Sequence, residues 1–137
     1  MTTPTMKNLL LILAATCILG ASASAADKID ISKLPPALKM DGVTFAKDIK
    51  PLVEKSCIKC HGPEKQKGKL RVDSLEAILK GGEDGVILKK GKSAESPVVH
   101  SVARLDPDAA MPPDGKGNPL TKEQIGLIRT WIDQGAK

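Results

Sequence analysis

Val43-Thr44-Phe45-Ala46-Lys47-Asp48-Ile49-Lys50-Pro51-Leu52-Val53-Glu54-Lys55-Ser56-Cys57-Ile58-Lys59-Cys60-His61 is the stretch whose reading decides the fold. Phe45, Ile49, Leu52 and Val53 fall at helical spacing, so a first helix should deliver Cys57, Cys60 and His61 to one place. Pro51 interrupts that pattern, because it lacks a backbone donor and disfavours the helical conformation at Lys50; a kink or a late helix start is expected there. Cys-x-x-Cys-His is the attachment pattern of a c-type haem. Thiols three residues apart near a helical turn can each bond one vinyl group on the same porphyrin edge, and the next histidine can then reach the iron.

The same residues have rival readings. A structural zinc site needs four ligands, usually in two pairs, and beyond these three only His100 remains. A thioredoxin-like dithiol needs a βαβ setting that the sequence lacks. A plain Cys57–Cys60 disulfide leaves His61 and the methionine discussed next without a role.

A second axial ligand is sought among three methionines besides the initiator. Met6 lies in the leader described below, and Met40 precedes the attachment residues in an irregular arm. Met111 lies 50 residues after His61 in Asp106–Pro119, a loop with four prolines and two glycines, where Pro112-Pro113 would hold the sulfur at little entropic cost. His61 with Met111 would give a six-coordinate iron of raised potential, His61 with His100 a lower one. An open sixth position is the third possibility. Arg71 and Arg104 are candidates for pairing the haem propionates, since guanidinium forks match carboxylates. Lys59, Lys65, Lys67 and Lys69 surround the attachment residues, either as a docking ring or as an ordinary solvated loop.

Outward from the centre, Asp73 and Glu76 resemble a capping box for a helix ending at Gly81, and Ser96-Pro97 starts another running to about Arg104. Thr121 and Gln124 cap a last helix, with Leu120 and Ile125 placed as a staple. Its buried stripe is Ile125, Ile128, Trp131 and Ile132, and its end is Gly135. The expected fold is all-α and small, with first and last helices packed around one covalently bound haem and Phe45 against Trp131. No strands or repeats are expected.

At the start, Lys7, the apolar run Leu9–Leu19 and the small residues before Ala25 read as a secretory leader over 1–25. Cleavage near Ala25 would leave 112 of 137 residues, divided into an extended arm over 26–42, with Pro35-Pro36, and one domain over 43–137. A lipid-modified Cys17 is the rival reading, but Ile18-Leu19 continue the apolar run past it. The run is too short to span a bilayer, so a periplasmic or otherwise exported protein is expected. The full chain is +5; without Lys7 it is +4, a mild excess suited to acidic redox partners. Phe45 and Trp131 are the only aromatics, too few for a nucleic-acid stacking surface. A monomer is expected.

Together these residues resemble the planctomycete-type cytochrome c domain. The likeness runs through Phe45–Pro51, Cys57–Gly68, Leu70–Ser74, Lys80–Glu83, Gly91-Lys92, Ser96-Pro97, Asp106–Asp108, Met111–Pro113, Leu120-Thr121 and Trp131-Ile132. It implies a class-I-like cytochrome c fold with His61 proximal and Met111 distal. It also implies an exported protein of planctomycetes or related bacteria. Such domains are often fused to larger ones; this chain is expected to be the module alone, and roles inferred from fusions are not expected to carry over. The Gly117-Asn118-Pro119 spacer is slightly longer than usual. The expected function is one-electron transfer without substrate chemistry. The alternatives are a haem subunit of a larger complex, or a sensor or peroxidase-type protein with an open sixth position.

Overall fold

Thr121 opens the last helix as its sequence requires. Its hydroxyl accepts the Gln124 amide at 3.2 Å, and the Gln124 side-chain oxygen accepts the Thr121 amide at 2.8 Å, a reciprocal cap. In the computed structural model, which describes residues 29–137, this helix and four shorter ones make an all-α fold. The helices are α1 (Lys50–Ser56), α2 (Ile58–His61), α3 (Leu75–Lys80), α4 (Pro97–Val102) and α5 (Lys122–Asp133). No strand occurs among the described residues, only isolated bridges between His61 and Gln66 and between Gly82 and Gly85. The leader and the first arm residues lie outside the described part.

The interruption at Pro51 takes a specific form. Phe45–Ile49 is a wide π turn closed by the Lys50 amide on the Phe45 carbonyl, and α1 proper starts at Lys50 with Pro51 in its first turn, where a missing N–H is harmless. Phe45, Ile49, Leu52 and Val53 are buried, as their spacing predicts. They meet α5 through Ile125, Ile128, Trp131 and Ile132, all buried, Ile132 completely. The Phe45 and Trp131 rings pack tilted at 42° with centroids 5.9 Å apart, within the range of favourable aromatic pairs.

Two expected caps differ in detail. α3 is capped by the Ser74 hydroxyl, which accepts the Ala77 amide at 3.2 Å, because Asp73 is engaged by Arg71 in a two-bonded ion pair. Ser96 does precede α4, yet its hydroxyl is fully buried and donates to the Lys92 carbonyl while accepting the Lys89 amide, so it knits the preceding loop. That helix ends at Val102, two residues short of expectation.

The described part of the arm, 29–42, is extended apart from a short 3-10 turn at Ile31–Lys33, and it lies along α5. Thr130 both accepts the Leu38 amide at 2.7 Å and faces the Leu38 carbonyl at 3.1 Å; Arg129 donates to the Pro35 carbonyl, and Gln134 bonds Met40 and Val43. Gly126 is what lets the chains come so close. A Cβ there would sit 2.7 Å from the Pro36 carbonyl oxygen. Overpacking of that kind costs about 1–3 kcal/mol. Gly126→Ala is therefore expected to lift the arm: trypsin cleavage after Lys33 and Lys39 should accelerate by about tenfold, and an unchanged digestion rate would contradict this account of the docking.

Candidate haem-attachment site

Cys57 stands where α1 stops and α2 begins. Its amide closes the last turn of α1 on the Val53 carbonyl at 2.8 Å, while its own carbonyl accepts the amides of Cys60 at 3.1 Å and His61 at 3.0 Å. One peptide unit thus binds both thiol-bearing residues and the imidazole into a single turn. The two cysteines are half-buried and not joined in a disulfide.

After His61 the chain must double back. Gly62 makes this possible, since a Cβ there would lie 2.5 Å from the Ile58 carbonyl oxygen. The returning segment grips His61 twice: Val72 donates to its carbonyl at 2.9 Å, and the ring Nδ1 lies 3.1 Å from the Lys67 carbonyl. A carbonyl can only accept, so Nδ1 carries the proton and Nε2 keeps a free lone pair. That is the tautomer a metal-ligating histidine needs, fixed by the kind of outer partner such ligands use. His100 is arranged in the opposite sense. Its Nε2 lies 2.7 Å from the Ala94 carbonyl and so carries the proton, which gives this histidine a loop-bracing task.

Cys57 and Met111 pack half-buried on the same core cluster. Cys57 also lines an apolar cavity with Leu52, Val72, Ile78, Val102 and Leu120; Cys60, His61 and Met111 do not line it. The donor set and this lining fit a thioether-linked porphyrin. The cavity's volume is about 60 Å³, against about 300 Å³ for the smallest usual ligand pockets. Among the described residues no three His, Cys, Asp or Glu side chains cluster as metal ligands do.

Met111 is held by its backbone. Its amide donates to the Ser101 carbonyl at 3.0 Å, and the Arg104 guanidinium donates to the Pro112 carbonyl at 2.7 Å and to Asp114 at 2.5 Å. Arg71 and Arg104, read from sequence as propionate partners, are thus engaged by Asp73 and by the Met111 loop respectively. Lys59, Lys65, Lys67 and Lys69 are all exposed around the attachment turn. Sequence reasoning missed the Lys67 carbonyl as the group orienting His61, because a main-chain oxygen leaves no residue-type signal; Gly68, at φ +63, only marks the turn that aims it.

Residues 57–115 match the family described as Planctomycete cytochrome C, a segment that includes the attachment turn and Met111 but neither α1 nor α5. No curated protein and no solved structure matches the chain. The match supports a haem-binding, electron-transferring domain with covalent haem c, and no helix among the described residues is long and apolar enough to cross a membrane.

Burial pushes the Cys57 thiol up from an ordinary 9.0 to about 11. The neutral thiol suits addition of S–H across a vinyl group more than it suits a thiolate redox pair, which depends on a lowered pKa. In haem-free protein, alkylation of the tryptic peptide Ser56–Lys59, which carries Cys57 alone, should stay slow through pH 9 and rise towards pH 11. The folded state keeps this proton where the unfolded chain has lost it, so stability is intact below about pH 9 and falls from there towards pH 11. Rapid alkylation at pH 7 would contradict both.

Proposed function

We propose, on the premise that residues 57–115 are a planctomycete-type cytochrome c domain, that this chain is an exported monohaem cytochrome that carries single electrons between protein partners. The observation that carries the reading is the single turn in which the Cys57 carbonyl holds Cys60 and His61 while the Lys67 carbonyl sets the His61 tautomer. When bound, haem c supplies a one-electron ferrous–ferric couple; its organic chemistry needs nothing further from the protein.

The chain's own residues have distinct tasks. Cys57 and Cys60 would hold haem c by thioethers, each S–H adding across one vinyl group so that sulfur bonds one carbon and the hydrogen goes to the other. His61 offers Nε2 to the iron. Met111, preset by the Ser101 and Arg104 bonds, would hold the iron through its thioether, and a histidine–methionine pair would supply a raised potential. The apolar side chains of Leu52, Val72 and Ile78 would exclude water from bound haem. Electrons enter and leave near the attachment turn, where the exposed Lys59, Lys65, Lys67 and Lys69 would meet acidic surfaces on donor and acceptor. A leader ending near Ala25, the arm over 26–42, a domain over 43–137 and a monomeric state belong to this reading.

Protein exported from cells able to install haem c should be red, with one haem per chain surviving denaturation. Its ferric spectrum should contain the weak sulfur-to-iron band at the red end. Cys57→Ser with Cys60→Ser should abolish covalent attachment. Met111→Ala should keep the haem, lose that band, lower the potential and open the ferrous iron to carbon monoxide. Colourless protein with both thiols free would sink the proposal, and rapid carbon monoxide binding by the unaltered protein would favour the open-site alternative.

A further inference from the structure

We propose that Arg104 is a positioning residue for Met111, clamping the loop so that the sulfur stands ready before iron arrives. This rests on the reading of Met111 as an iron ligand and goes beyond it by naming what holds that ligand in place.

The clamp is built at the end of α4. Ala103 and Arg104 close the helix on the carbonyls of Val99 and Ser101, and Arg104 adopts φ +56, a left-handed conformation unfavourable for a residue with a Cβ. Its guanidinium then spans the loop. Nη1 donates to the Pro112 carbonyl at 2.7 Å and Nη2 to Asp114 Oδ1 at 2.5 Å. On the other side, the Met111 amide donates at 3.0 Å to the Ser101 carbonyl, the same oxygen that receives the Arg104 amide. Met111 is therefore bracketed. Its own N–H and the next residue's C=O are both tied to one helix end, while Ala110 and Pro112 on either side are buried.

The two arms of the fork are unequal. Asp114 has 91% of its side chain exposed, so that ion pair is solvent-screened and contributes little. The bond to the Pro112 carbonyl is part-buried and charge-assisted, and it restrains the backbone beside the ligand itself. Lysine could satisfy one acceptor as a point charge but could not hold both in a fixed plane. Ordering the loop in advance spares the iron–sulfur bond that entropic cost, so weakening the clamp should detach the sulfur more often without touching attachment at Cys57 and Cys60.

The test compares full-length, haem-loaded protein with R104A, R104K and D114A. R104A is expected to keep covalent haem by mass, lose much of the red-end sulfur-to-iron band, and bind carbon monoxide about tenfold faster, the change that follows from a tenfold rise in the detached fraction. R104K should fall between R104A and wild type, and D114A should match wild type. Hydrogen exchange at the Met111 amide reads the bracket independently of the iron and should quicken in R104A and, to a lesser degree, in R104K. Band, carbon monoxide rate and exchange all unchanged in R104A would overturn the proposal; if R104A does not fold, the same three unchanged in R104K would do so. A wild-type protein without the band would instead overturn Met111 ligation, with the exchange result still deciding whether Arg104 orders the loop.

Discussion

The whole arrangement depends on how Trp131 fastens the π turn that leads into α1 to the end of α5. The indole is buried against Phe45, and its Nε1 donates to the Lys137 main-chain oxygen at 2.9 Å. That same oxygen receives the Phe45 amide at 2.7 Å. One acceptor therefore joins the entry to α1 with the exit from α5. With the π turn set against α5 in this way and α1 continuing from that turn, the position of Cys57 at the far end of α1 follows, and the attachment turn inherits its place from a contact beyond the opposite end of the helix.

The polar groups that this packing buries are accounted for. Ser93, Ser96 and Thr130 are the buried polar side chains among the described residues, and each makes several hydrogen bonds. Ser93 is held by Asp133 through both its amide and its hydroxyl and also receives Arg129, which in turn reaches the arm at Pro35. Among the described residues no buried side-chain donor or acceptor lacks a partner. In so small a core an unpaired group would be costly relative to net stability, so this satisfaction matters as much as the apolar contacts.

What could be read from sequence followed residue type and period. The buried faces of α1 and α5, the Phe45–Trp131 contact, the Thr121–Gln124 cap and the irregular Asp106–Pro119 loop all have side-chain signals, and the structure has them where expected. The two caps that differ share one cause. Asp73 and Ser96 are good capping residues by type, but other groups close in sequence, Arg71 for one and the Lys89–Lys92 loop for the other, compete for their oxygens. Arg104 was read from its charge as a partner for an acidic group, and its use on the Pro112 carbonyl depends on a backbone turn that no residue type announces. The docking of the arm was likewise hidden, because its bonds are to main-chain atoms and hinge on the absent side chain of Gly126.

The strap across α5 also bears on the order in which the molecule can assemble. Its bonds join residues 91 to 94 apart, whereas those around the attachment turn span at most eleven positions, from His61 to Val72. Short loops close early and long ones late. A chain emerging from its amino end can therefore shape the cysteine–histidine turn while its last helix is still missing. The belt cannot fasten until Arg129, Thr130 and Gln134 have appeared, so its closure belongs to the late stage of folding.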